Sequence, residues 1–147
     1  MDSVLITPNP WISGVIYGLI GAVVSTIFIP PRYFIVAMGG FIGAMAAIYW
    51  GFAVKSNSRA ALFQETIFLI LFSIFGSIVI VDRPDLVAIG IMAHGIYDCM
   101  FAFKIIKNTS HVPAKYPALC AGYDFAFAAF LLWSHGYQYR FLTSRFY

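Results

Sequence analysis

The chain has 147 residues, of which 61% are hydrophobic and 10% charged, with a net charge of +3 and a mean hydropathy of +0.85. Soluble domains carry roughly 25% charged residues, so this composition excludes an ordinary soluble domain and predicts one membrane-embedded domain over 1–147. A net charge this small, spread over helix ends, predicts contact with lipid headgroups and excludes a nucleic-acid-binding surface.

Five apolar runs are long enough to consider as membrane spans, against the roughly 17–25 residues that a crossing needs. They are Trp11–Ile29, Tyr33–Val54, Thr66–Val81, Leu86–Ile106 and Pro117–Trp133. Continuous runs argue against the alternating strands of a membrane barrel. The prediction is therefore an all-α, polytopic helix bundle with transmembrane helices near 11–29, 33–54, 65–81, 86–106 and 117–135, the short third and fifth open to extension into the interface through Ala60–Glu65 and Ser134–Tyr137. Four helices and a re-entrant segment are the alternative.

The first run follows Met1-Asp2-Ser3, which lacks the basic start of a cleavable signal, and runs into Pro30-Pro31-Arg32 rather than a small-residue cleavage site, so it is expected to remain. Gly14, Gly18 and Ala22 share one of its faces, and Gly39, Gly43, Ala47 and Gly51 form a longer stripe on the second run. Such stripes let helix backbones approach closely in lipid. They predict packing of helix 1 on helix 2, or a docking face for a homo-oligomer or a larger membrane complex through Gly39, Gly43 and Gly51. The short links Ile29–Arg32 and Val81–Asp85 predict two tight hairpins, helices 1–2 and 3–4, with helix 5 returning beside helix 4.

Lys55, Arg59, Lys104, Lys107 and Lys115 fall on the side of the N-terminus, and Arg32, Arg83, Arg140 and Arg145 on the other. That small excess leans towards a cytoplasmic N-terminus.

Ionisable groups inside such runs are site candidates, because each costs several kcal/mol at membrane depth unless paired or facing a cavity. Glu65 opens the third run, His94 and Asp98 lie four apart in the fourth, and Cys120 and Asp124 lie four apart in the fifth. Residues four apart share a helix face. Measured from the loop joining helices 4 and 5, Asp98 lies about 12 Å deep, Asp124 about 10 Å, His94 about 18 Å and Cys120 about 4–5 Å, at 1.5 Å per residue. The aspartates should therefore meet at one depth, with Glu65 near the outer end of one polar track. Tyr97-Asp98 followed by Phe101-Ala102-Phe103 is echoed by Tyr123-Asp124 followed by Phe125-Ala126-Phe127, an arrangement that suits a pseudo-symmetric hairpin.

The pattern His94-x-x-x-Asp98, Val112-Pro113, Tyr116-Pro117, Cys120 and Tyr123-Asp124 resembles a family of small microbial integral membrane proteins of unknown function. That family carries a His-x-x-Trp-Asp-x-x-His-His element, a proline-containing loop, a Cys-x-x-x-Asp element and a glutamate at the start of the preceding helix. Glu65, His94, Asp98, Cys120 and Asp124 stand at those positions, over about 64–133. Phe101-Ala102 replaces the adjacent histidines and Tyr97 the tryptophan, which removes two strong ligands or proton carriers. The resemblance implies a membrane fold and a polar site, with no assigned reaction.

Three functions fit these residues. The first is a structural or accessory subunit of a membrane assembly, in which buried His and Asp satisfy one another and the aromatic tail Tyr137–Tyr147 helps anchor or dock the chain. The second is an intramembrane enzyme acting on a lipid, prenyl or sterol-like substrate by acid–base chemistry. There Asp98, Asp124 and His94 are the catalytic candidates, with Glu65, Tyr97, Cys120 and Tyr123 as substrate-binding candidates. The third is a metal- or proton-binding, transporter-like protein. Its donors would be Glu65, His94, Asp98 and Asp124, with Cys120 as an outer option and the metal's identity open. Cys99 and Cys120 are expected as free thiols, His111 and His135 as solvated interfacial residues, and Asn108-Thr109-Ser110 as a sequon of use only in a secretory lumen.

Overall fold

A computed structural model describes residues 9–106 and 109–143, apart from the side chains of 31, 32 and 135–143. Asn108 of the sequon, the His135 side chain and the aromatic side chains of the tail lie outside the described residues.

Five α-helices follow one another: α1 (Pro10–Phe28), α2 (Pro31–Lys55), α3 (Arg59–Val81), α4 (Val87–Ala102) and α5 (Tyr116–Thr143). Each is long and apolar enough to cross a membrane, α4 when counted with the 3₁₀ turn Pro84–Leu86 that leads into it. The protein is thus an all-α bundle of multi-pass membrane type. Its outward faces carry large apolar side chains such as Ile16, Phe28, Phe63, Val81 and Trp133, as expected where the solvent is lipid.

Local sequence sets the helix ends. The Asn9 side chain accepts from the Trp11 amide at 3.0 Å, and Pro10 fills the first turn of α1, where its missing N–H costs nothing. Asn57, in the left-handed region at φ 55°, turns the chain out of α2, and Ser58 caps α3 by accepting from Ala61 N at 3.3 Å. Helix α3 therefore starts six residues before the predicted helix near 65–81, within one residue of the expected extension through Ala60, and Glu65 lies inside it. Helix α4 ends at Ala102 rather than Ile106. Lys104 adopts φ 56°, and the amide of Ile105 returns to the Met100 carbonyl, closing the last turn.

Packing departs from the expected hairpins. The main backbone pairs are α1 with α5, α2 with α3, and α4 with α5, and α2 also touches α4, whereas α1 and α2 scarcely meet and α3 meets α4 through aromatic side chains rather than by close backbone approach. Close approach of small residues is the cause. Gly14 and Gly18 face the backbone at Leu119 and Tyr123, where an added Cβ would overlap the carbonyl oxygens, and Gly122 faces the Trp11 carbonyl in return. Gly39 and Gly76 bring α2 and α3 together in the same way. The helix 1 stripe thus serves α5 rather than α2, and Gly39 and Gly43 face α3 within the chain. Gly40 and Gly51 look into open space.

Two apolar clusters fill the interior. The larger gathers Phe34, Met38, Ile42, Val79, Val87, Ile91, Phe127 and Leu131. The smaller gathers Tyr49, Tyr97, Phe101 and Val112 under the α4–α5 connection. Along α4, His94 and Asp98 fall between Ile91 of the first and Phe101 of the second.

Candidate functional site

Helix α4 presents His94 and Asp98 on its buried face, one turn apart. Side chains on a helix lean towards its N-terminus, so Asp98 reaches back over His94. Helix α5 supplies Asp124 from the opposite side. Gly95 makes that approach possible, since a Cβ there would stand 3.0 Å from Asp124 Cβ.

All three residues are almost wholly buried. The Nδ1 atom of His94 lies 2.8 Å from Asp124 Oδ2 and 3.4 Å from Asp98 Oδ2. The second oxygen of Asp98, Oδ1, accepts from the Tyr49 hydroxyl of α2 at 2.5 Å. One nitrogen therefore faces two carboxylates, and with Nδ1 bearing the proton His94 donates to Asp124. His94 Nε2 and Asp98 Oδ2 are buried without a hydrogen-bond partner. The two aspartates do meet at one depth, as their distances from the loop require.

Glu65 belongs to a second cluster. It accepts from the Tyr97 hydroxyl at 2.7 Å and from Gln64 Nε2 at 3.1 Å, and it faces His111 Nε2 at 3.2 Å. His111 is not the solvated residue expected of an interfacial loop, because its side chain is buried against Glu65 while its backbone stays partly exposed. The expected continuous track is therefore two polar clusters, with aromatic rings between them. The Tyr49 ring lies tilted at 5.7 Å from Tyr97 and edge-on at 5.9 Å from His94, and Phe72 lies edge-on at 5.2 Å from His94.

Cys120 and Tyr123 do not bond to the aspartates. With Tyr116, Phe41, Met45 and Ile48 they wall a cavity of about 120 Å³ that His94 and Asp124 also line. Cys99 and Cys120 are free thiols. Of the five oxygen, nitrogen and sulfur donors expected to gather, only His94, Asp98 and Asp124 bring ligand atoms within 4.8 Å of one another. Glu65 is engaged elsewhere and Cys120 stands outside that group.

Tyr49 is the residue that sequence reasoning missed. A tyrosine in an apolar helix reads as packing, and only the fold places its hydroxyl on Asp98. For His111, the signal was the apolar Val112 beside it, buried in the same cluster.

Comparison with family models, with curated proteins and with solved structures finds no match to the chain. Chemistry at the site is therefore read from its geometry.

Proposed function

We propose that the protein is an intramembrane enzyme that moves a proton to or from a lipid-class substrate at His94, with Asp124 and Asp98 holding the imidazole. The reading is carried by the unequal treatment of one ring. Nδ1 is held by carboxylates, whereas Nε2 is buried and uncommitted. A histidine oriented through one nitrogen keeps the other for proton exchange, and this is the common basis of histidine acid–base catalysis. A network that only tied helices together would leave buried polar atoms paired.

The surroundings support a membrane-dissolved substrate. An apolar groove of about 400 Å³ between α3 and α4 is lined by Phe68, Phe72, Gly90, Ile96, Tyr97 and Met100. It has the shape and chemistry for a hydrocarbon chain, and two of its walls, Phe72 and Tyr97, pack on His94. The smaller cavity beside His94 and Asp124 holds at most a compact polar group or a few waters, at about 30 Å³ each. The resemblance to small microbial membrane proteins brings no assigned reaction with it, and the small excess of basic residues on the N-terminal side favours a cytoplasmic N-terminus.

The test is conversion. Purified protein reconstituted with a total membrane lipid extract is expected to change the mass profile of at least one lipid. Asp124→Asn is expected to lower the rate by about 10²–10⁴-fold while keeping helix content and a monodisperse elution profile. Identical profiles for wild type, Asp124→Asn and protein-free vesicles would exclude the reading. A second reading, an accessory subunit of a membrane assembly, is favoured by one observation: Gly40 and Gly51 leave open space along α2, where another helix could lie.

A further inference from the structure

Three heteroatoms from two helices converge at the buried centre, all within 4.8 Å of one another. His94 Nδ1 stands 2.8 Å and 3.4 Å from the two Oδ2 atoms. Donors bound to one divalent ion at 2.0–2.2 Å stand about 3.3 Å apart in a tetrahedral site, so the wider pair already fits and the hydrogen-bonded pair would open by about half an ångström as the cation replaces the proton. Asp98 Oδ2 points into this group, fully buried and without a hydrogen-bond partner. Its companion oxygen is fixed by Tyr49, the kind of outer contact that orients a ligating carboxylate.

Charge points the same way. Two carboxylates around one imidazolium leave a net negative charge, and among the described residues no lysine or arginine forms an ion pair with either aspartate. A divalent cation among two carboxylates and a neutral imidazole makes the centre neutral, which lowers the cost of burying it.

We propose that His94 Nδ1, Asp98 Oδ2 and Asp124 Oδ2 bind one divalent transition-metal cation of the zinc, iron or manganese class, in place of the proton they share. One imidazole with two carboxylates suits that class over soft monovalent copper. Three protein ligands leave a coordination position open, as in catalytic rather than structural sites. The inference rests on the reading of this centre as the working site, and its binding test stands apart from any conversion assay.

The experiment uses the full, tag-free chain in detergent, stripped with a chelator and titrated with Co²⁺, then with Zn²⁺ as competitor. One saturable equivalent is expected, with visible absorption bands of bound Co²⁺ that Zn²⁺ abolishes. Tyr49→Phe is expected to weaken binding about 10–100-fold, Asp98→Asn and Asp124→Asn by more, and Glu65→Gln to leave it unchanged. Absence of saturable Co²⁺ binding by folded wild type overturns the site, as does equal binding by wild type and both aspartate variants. Binding without lipid conversion supports the cation site and removes the enzymatic reading. Conversion by a protein that takes up no cation does the reverse.

Discussion

At the scale of single residues, the centre depends on groups that hold His94 rather than on His94 alone. Tyr49→Phe removes the donor to a buried carboxylate, and hydrogen bonds to charged groups contribute about 1.5–3 kcal/mol. A drop in thermal stability of that order is expected in detergent, and an unchanged melting temperature would mean that Tyr49 does not hold Asp98. Gly95→Ala places a methyl group against Asp124 Cβ, so it should reduce lipid conversion as Asp124→Asn does while sparing the helix content. Wild-type conversion by Gly95→Ala would contradict the close approach of α4 and α5. The pairs His94/Asp98 and Cys120/Asp124 were legible because polar residues four apart in an apolar run define a face. Tyr49 was not, because a tyrosine carries no sign of which buried group its hydroxyl will meet.

At the scale of helices, small residues choose the neighbours. Gly14 and Gly18 fit against the α5 backbone and Gly39 against Gly76 of α3, while Gly51 has open space around it. Gly18→Leu is therefore expected to destabilise the bundle by about 1–3 kcal/mol or more through overpacking. Gly51→Leu should leave the isolated bundle unchanged, and thermal unfolding of the two variants side by side decides this. Equal destabilisation would mean that α2 uses its outward face within the protein. The stripes themselves were readable in the sequence, but their partners were not. Small-residue spacing shows that a face packs closely and says nothing about which helix it meets, and short links do not force consecutive helices into contact. The early start of α3 was legible from length, because a run from Thr66 is short for a crossing and invites extension through Ala60–Glu65; Arg59 and Gln64 interrupt the hydropathy, and the Ser58 cap fixes where the helix begins.

For the whole molecule, composition together with five continuous apolar runs indicated a multi-pass helix bundle, since only helices and closed barrels satisfy the backbone in lipid and a barrel needs alternating strands. With five crossings, reporters fused before α1 and after α5 should report from opposite sides of the membrane, whereas reporters on the same side would remove one span. The bundle wraps two aspartates and a histidine in aromatic rings between its apolar clusters, and the cavity that His94 and Asp124 line is the opening beside them. That burial makes the state of one ring decisive. In metal-free protein labelled with ¹⁵N-histidine and reconstituted in bilayers, His111→Gln and His135→Gln leave the signal of His94 alone. Solid-state NMR is expected to find Nδ1 protonated and strongly hydrogen-bonded, with that hydrogen bond weakened in Asp124→Asn and the Nε2 signal free of any protein partner. A His94 ring with unprotonated Nδ1, or one indifferent to Asp124→Asn, would contradict the proposal that carboxylates hold this histidine for chemistry.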